Sequence, residues 1–316
     1  MSKAFASQGD MEEKTISFTE IGRDLWAFTA EGDPNTGVII GDDSVMVIDT
    51  QATPRMANMV LEKIRTVTDK PVKYVVLSHY HAVRVLGASA YGAEQILASD
   101  KCRAMVAERG QEDWDSEFER FPRLFEGHED IPGLTWPTHT FSDRMTVYLG
   151  NRRVDLMHLG RAHTAGDVVT YVPDAEVLFS GDVVEYHSAC YCGDGHFGDW
   201  GTTLDAIAAF KPKSIVPGRG AALVGDELVA AALNNTRDFV ESTYRPAAAV
   251  AARGGSLKEA WDAVRAECDP KFADYAIYEH CLPFNVARAY DEARGIDTPR
   301  IWTAERDKEM WASLQG

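Results

Sequence analysis

Over residues 16–29 the chain alternates apolar and polar side chains in ISFTEIGRDLWAFT, and GVIIGDDSVMVIDT follows as two apolar runs around a Gly-Asp-Asp turn. Period-two alternation broken by turn residues predicts successive antiparallel strands. The period then changes: Met56, Met59, Val60, Ile64 and Val67 recur at three- and four-residue steps, which predicts a helix over 53–69. VKYVVLSH is a short continuous apolar run, the pattern of a buried strand. Residues 88–97 return a helix and a short strand. The charged stretch after them closes around Pro132 and Gly133 and reads as a helical insertion near 100–130. THTFSDRMTVYLG, NRRVDLMHLG, DVVTYVPDAEVLFSGD and SIVPGRGA form a second run of strands joined by turn residues. From Gly225 onward, segments such as DELVAAALNNTRDFVESTY and SLKEAWDAVRAEC are helical, with no Pro/Ser-rich linker before them. The expected organisation is an α/β domain over 1–224 with two β-rich halves, and a helical region over 225–316 that packs on it or forms a homodimer contact.

Composition narrows the function. The 316 residues carry 32 basic and 49 acidic side chains, a net charge of −17, with 45% hydrophobic and 26% charged residues. That balance belongs to a soluble globular protein and excludes a disordered, collagenous or coiled-coil chain. A surface this negative, without a basic run, excludes nucleic acid as a partner, since phosphate backbones are bound by neutralising Lys and Arg. Five cysteines, Cys102, Cys190, Cys192, Cys268 and Cys281, argue against a full disulfide framework and for a reducing compartment. The opening MSKAFASQGDMEEK has no apolar signal core, and no stretch nears the ~20 apolar residues of a membrane span. A cytoplasmic protein acting on a small molecule is expected.

The chemistry gathers where apolar runs end. VKYVVLSH leads into His79, Tyr80 and His81, two imidazoles one residue apart just beyond a buried strand. Ligand sites of α/β sheets collect at that carboxyl edge. His163 in LGRAHTAGD and Asp182 closing VLFSGD follow in the same kind of position. Together His79, His81, His163 and Asp182 can converge on one metal ion. Imidazole suits zinc and iron, and a carboxylate completes either a tetrahedral zinc site or a facial Fe(II) site.

These residues resemble the landmarks of the metallo-β-lactamase superfamily: Asp49 in VIDT, His79 and His81 in SHYHAVRVLG, His163 in HTAGD, Asp182 in FSGD and the turn VPGRG. The resemblance covers most of the first 225 residues. It implies an αββα sandwich with one or two metals at the edge of its two sheets, held by H-x-H-x-D-H, a later His, a bridging Asp and a final His. Here Val83 and Arg84 stand at the Asp and last His of that motif, and Arg219 at the final His of the turn. Valine has no lone pair to offer, and arginine stays protonated. A second metal in the usual position is therefore excluded. The expected site is mononuclear, with Arg84 and Arg219 standing in for the second metal and paired with Asp182. By resemblance, Asp49 orients a ligand histidine or its loop and is not itself a ligand.

Three functions remain open on these residues. In a zinc hydrolase, Asp182 accepts or directs the proton of an activated water, and Arg84 or Arg219 holds a substrate carboxylate or a developing oxyanion. The superfamily also contains persulfide dioxygenases with a single iron on two His and the Asp, which admits an Fe(II) oxygenase. A non-catalytic relic that binds a metal or an anion is the third. Hydrolysis of a small anionic substrate leads.

The loop VEYHSACYCGDGHFGDW carries His187, Cys190, Cys192, Asp194 and His196. It is expected to wall the pocket, with Tyr80, His187, Tyr191 or His196 on the substrate and Trp114, Phe197 and Trp200 as aromatic candidates for the rest. Its alternative is a small second metal site or a reactive thiol pair at Cys190 and Cys192. His128, His139 and His158 read as structural or exposed, and His280 as a tail residue able to enter a pocket.

Overall fold

Residue 11 and residues 13–315 are described by the computed structural model. Seven strands form one sheet in chain order: β1 (Ser17–Gly22), β2 (Leu25–Thr29), β3 (Thr36–Ile40), β4 (Val45–Ile48), β5 (Val72–Val76), β6 (Gln95–Ser99) and β7 (His139–Phe141). Six form the other: β8 (Arg144–Leu149), β9 (Arg152–Met157), β10 (Val169–Val172), β11 (Val177–Gly181), β12 (Ser214–Pro217) and β13 (Leu223–Val224). β1 to β4 are antiparallel, whereas β4 to β7 run parallel. In the second sheet β11 and β12 are the parallel pair.

Strand alternation builds three cores. Met46 and Ile48 of β4 and Ile39 of β3 point inward, where they meet Leu156, Val177, Phe179 and Val216 of the second sheet. The intervening Val38, Ile40, Val45 and Val47 face outward onto α1 (Pro54–Arg65), α2 (Ala82–Val85) and α3 (Asp100–Arg120). On the far side, Leu178 and Ile215 of the second sheet share a core with α4 (Phe197–Ala209), α5 (Asp226–Ala252), α6 (Leu257–Phe272), α7 (Tyr278–Ala293) and α8 (Ala304–Gln315). The layers are therefore helix, sheet, sheet, helix, and the C-terminal helices share a core with the second sheet. Both faces of β3 and β4 are buried, which is why those strands read as apolar runs without alternation.

Local signals set the helix ends. Thr53 caps α1 by accepting the Met56 N–H, with Pro54 in the first turn and Lys63 and Arg65 in the last. Ser256 and Glu259 form a reciprocal capping box at the start of α6. The stretch expected as an insertion near 100–130 is chiefly α3, and α3 connects β6 to its parallel neighbour β7. It is thus the crossover of a β-α-β unit and belongs to the sheet's own topology. Among the described residues no helix is long and apolar enough to cross a membrane.

Candidate metal centre

Beyond β5 the chain runs through Ser78 to His79 and on to His81, which stands at the N-cap of α2. A four-residue helix has little stability of its own. α3 supplies the rest: the Ala82 N–H donates to Asp113 Oδ2 at 2.7 Å and the Val83 N–H to Glu117 Oε2 at 2.9 Å. Asp113 and Glu117 lie one turn apart, so one face of α3 satisfies the free amides of α2 and fixes the H-x-H segment. His163 lies between β9 and β10, Asp182 follows β11, Arg219 follows β12 and Asp49 follows β4. The sheets approach closely here, and Gly181, with φ of +51°, allows it: a Cβ would come within 2.5 Å of the Ser78 Cβ.

His79, His81 and His163 each bring one ring nitrogen within 4.8 Å of the others. Their hydrogen bonds assign which. His79 Nδ1 meets Ser78 Oγ at 2.9 Å, and Ser78 Oγ in turn donates to Asp49 Oδ2 at 2.7 Å. That leaves His79 Nε2 buried without a hydrogen-bond partner. His81 Nε2 lies 3.1 Å from Asp194 Oδ2, and His81 Nδ1 lies 3.0 Å from His163 Nε2. An orphaned imidazole nitrogen beside two others that face each other is a donor set suited to a cation, and it fits a metal ion. Burial drives the proton affinity of His79 and His163 down, His163 to about 3. Burial acts the same way on His81, but Asp113, the Asp194 hydrogen bond and Glu117 outweigh it and hold the ring at about 9.

Asp194 accepts from Tyr80 Oη at 2.8 Å and Arg109 Nη1 at 3.0 Å as well as facing His81. Carboxylates that receive the far N–H of a ligand histidine fix its tautomer and basicity. Asp194→Asn is expected to weaken metal affinity roughly 10- to 100-fold with the fold intact. Competition against a chromophoric chelator measures this, and an unchanged affinity would show that Asp194 does not hold His81.

Asp182 lies between two guanidinium groups. Arg84 Nη2 contacts Oδ1, and Arg219 Nη1 sits 2.9 Å from Oδ2. The same Oδ2 faces His79 Nε2 at 3.8 Å and His163 Nε2 at 3.6 Å. Burial alone would raise the Asp182 pKa, but Arg84 and Arg219 prevail and hold it well below the usual carboxylate range. Arg219 also pairs with Glu185 at 3.2 Å. Burial and the nearby Asp182 push Glu185 up to about 8 against the pull of Arg219. Gly218 makes the turn fit: a Cβ there would press on Asp182 Oδ1 and lie 2.9 Å from Arg84 Nη2. Gly218→Ala is expected to cost about 1–3 kcal/mol in urea denaturation, as overpacking does. A loss below about 0.5 kcal/mol would mean the ion network yields freely.

A small cavity adjoins the triad. His81, His163, Asp182 and Arg219 form one wall, and Glu117, Arg120, Phe121, Tyr191, Ile277 and Cys281 form the other. Its room for the centre of a water-sized sphere is about 10 Å³. Of the residues expected to touch substrate, Arg219 and Tyr191 are in this lining. Arg84 is not: it is fully buried against the Asn35 carbonyl, Asp182 and Asp49. Tyr80 is committed to Asp194. His187 is exposed and packs on the rings of Tyr186 and Tyr275. His280 is buried against Phe121 and Phe284.

His196 stands at the N-cap of α4, where burial and then Arg161 and Arg288 lower its pKa to about 4. An unfolded histidine titrates near 6.5, so this group lowers stability as the pH falls from 6.5 toward 4, by at most ~1.4 kcal/mol per pH unit. His196→Gln is expected to flatten that part of the acid limb in urea melts at stepped pH. A limb unchanged in slope would exonerate His196.

Cys190 and Cys192 are free thiols buried in the helix-side core, with pKa values raised by burial. Asn285 clamps their loop by accepting the Cys192 N–H at 2.6 Å and donating to the Cys190 carbonyl at 2.7 Å. Among the described residues the His79, His81 and His163 group is the metal-competent cluster, and the cysteine loop contributes none. The loop is a wall. Trp200 and Phe197 belong to the same core, the Trp200 ring 6.1 Å from that of His163, while Trp114 packs on the other helical layer. Asp113, Glu117, Arg120 and Glu185 are site residues that the strand-end reasoning did not reach.

The description of the metallo-beta-lactamase superfamily matches residues 29–219. A linear primary-alkylsulfatase from Pseudomonas sp. (strain ATCC 19151) is 24% identical over 235 residues, 64% of this chain, and the chain spans 44% of that relative's length. A type 2 metallo-beta-lactamase from Bacillus sp. (strain 170) is 23% identical over 228 residues, covering 68% of this chain and 80% of its own. Among solved structures, a metallo-beta-lactamase from Pontibacter korlensis superposes with a TM-score of 0.57 at 21% identity, covering 72% of this chain and 99% of its own. A stereoselective inverting sec-alkylsulfatase from Pseudomonas sp. gives a TM-score of 0.69 at 16% identity, covering 88% of this chain and 50% of its own. At these identities the structures speak to the fold.

Proposed function

Because the chain belongs to the metallo-β-lactamase superfamily, whose description matches residues 29–219, we propose that it is a mononuclear metal-dependent hydrolase of a small anionic substrate. The observation that carries this reading is the cluster of His79, His81 and His163 within 4.8 Å, with Asp182 tied to two arginines beside it. Three imidazoles with an open position are a zinc hydrolase set. A zinc ion held there supplies Lewis acidity, which lowers the pKa of a water and polarises a substrate oxygen.

The chain's own groups divide the remaining work. Asp182, held ionised by Arg84 and Arg219, is a poor proton acceptor. Its role is to hold Oδ2 toward the triad and orient what binds there. Glu117 lines the cavity with Oε2 on the Val83 amide and Oε1 4.0 Å from Arg120, so its carboxylate is placed to orient a water or substrate entering there. Arg219 and Glu185 keep the Asp182 side of the wall charge-balanced. Phe121, Tyr191 and Ile277 exclude bulk water. Alkyl sulfates are the first substrates to try, since two of the relatives are alkylsulfatases.

An Fe(II) oxygenase using two of the histidines and Asp182 has one observation in its favour, the approach of Asp182 Oδ2 to 3.6 Å and 3.8 Å of two imidazole nitrogens. Against it, both Asp182 oxygens already meet guanidinium groups. Elemental analysis of protein purified anaerobically from zinc- and iron-supplied cells decides. The expected result is one zinc per chain and turnover of an anionic ester. One iron with oxygen uptake would replace the reading, two metals would overturn the mononuclear site, and none would leave a non-catalytic protein.

A further inference from the structure

We propose that Arg120 is the anion-recognising group of this cavity, holding a substrate oxyanion, carboxylate or sulfo, across from the histidine wall. The inference rests on the hydrolase reading and deepens it, because it assigns the substrate charge to a residue other than Arg84 and Arg219.

Five arginines are buried among the described residues: Arg84, Arg109, Arg120, Arg219 and Arg288. Four have a carboxylate at contact distance. Arg84 and Arg219 share Asp182, Arg109 is 3.0 Å from Asp194 and Arg288 is 2.9 Å from Glu292. Arg120 departs from the rule: it is 1% exposed, yet Glu117 and Asp307 both stand 4.0 Å away. Its Nε donates to the Ser116 carbonyl at 3.4 Å, and its Nη2 makes no hydrogen bond.

The orientation of the group is set by rings. The guanidinium carbon lies 4.6 Å from the Phe284 centroid, 5.2 Å from Tyr191 and 5.9 Å from Phe121. Aromatic packing covers guanidinium faces and leaves the edges for in-plane acceptors. The Nε edge is turned to Ser116 and Asp307. The Nη2 edge is turned to Glu117, and Glu117 and Arg120 line the cavity together with His81 and His163. A buried cation whose Nη2 has no hydrogen-bond partner, on a residue that lines the cavity, has donor capacity left for a carboxylate or sulfo oxygen. The available room, about 10 Å³, is that of about one water, so formate, the smallest carboxylate, is the first probe and sulfate the larger one for which the wall must give.

The test is calorimetric titration of formate, and separately of sulfate, into protein holding one equivalent of zinc and into chelator-stripped protein. The wild type is compared with Arg120→Met and Arg120→Lys. Wild type is expected to bind at least one probe. Formate preference assigns a carboxylate, and sulfate preference a sulfo group. Arg120→Met is expected to weaken binding at least about tenfold in both forms, with zinc stoichiometry unchanged. Equal affinity in wild type and Arg120→Met, or no binding of either probe to wild type, overturns the proposal and leaves Arg120 a structural cation bridged to Glu117. If Arg120→Met does not fold, the Arg120 Nε–H resonance of wild type, identified by its loss in Arg120→Lys, carries the test. Movement with formate or sulfate supports the proposal, and immobility overturns it. Wild type that takes up no zinc would sink the hydrolase reading alone, because the stripped-protein titration still reads Arg120.

Discussion

Replacing Asp182 with asparagine is expected to destabilise the metal-stripped protein by about 3–5 kcal/mol, the range for removing one partner of a buried ion pair. The substitution hardly changes volume, so the effect is one of charge. Arg84 and Arg219 are 0% and 4% exposed, and both direct a guanidinium nitrogen at the Asp182 carboxylate. Without that carboxylate, two buried cations face each other with only Glu185 and Asp49 nearby. Urea denaturation of stripped wild type and variant at equal m-value measures the loss. The pH dependence has a definite sign. The Asp182 pKa is depressed in the folded state from an ordinary value of 3.8. Its contribution is therefore present above about pH 4 and is lost as the pH falls below it, so the two proteins converge in acid. A loss under about 1 kcal/mol at neutral pH would mean that Glu185 and Asp49 already balance the arginines.

His81→Ala is expected to empty the site. Zinc sites in small domains are worth at least ~10 kcal/mol at neutral pH, so one of three imidazoles carries roughly 3 kcal/mol or two to three orders of magnitude in affinity. After dialysis the variant is expected to retain a small fraction of the wild-type metal and, under the proposed hydrolase reading, to lose turnover with it. His128→Ala is the control, since His128 is half-exposed beside Glu129 and apart from the triad. Metal content by plasma mass spectrometry, with circular dichroism to verify the fold, gives the answer. If His81→Ala kept one tightly held metal per chain, the histidine cluster would not be the metal centre.

The chain shows its architecture where burial is periodic. β3 and β4, α1, and the strand ends that carry His79, His163, Asp182 and Arg219 follow from apolar runs and their turn residues. The second half of the site follows another rule. Along α3 the buried positions begin as Cys102, Met105 and Val106 and continue as Arg109, Asp113, Glu117 and Arg120, while Glu108, Asp115 and Glu119 are exposed. The helical period is unbroken, but its inward stripe changes from apolar to charged. Hydrophobic periodicity therefore loses the face that holds α2 and the cavity. The spacing of Asp113, Glu117 and Arg120, four and then three residues apart, was the available signal. Glu185 had none, and Asp194 stood out only as a polar residue of the loop after Asp182, because their partners, Arg219 and His81, are distant in sequence. His187 and His196 stood out as histidines in a loop near Asp182, yet the loop's backbone turns them away from the cavity wall that Tyr191 reaches.

The pairing of Asp182 with both arginines also constrains how this site can change by descent. Losing Arg84 or Arg219 alone leaves a buried anion short of a partner, and losing Asp182 alone strands two cations, so each single step passes through a less stable protein. The three positions are energetically coupled, and their substitutions are not independent events. A lineage carrying this trio is held in place by epistasis: placing other side chains at positions 84 and 219 requires near-simultaneous change, or prior stabilisation elsewhere in the chain to absorb the intermediate.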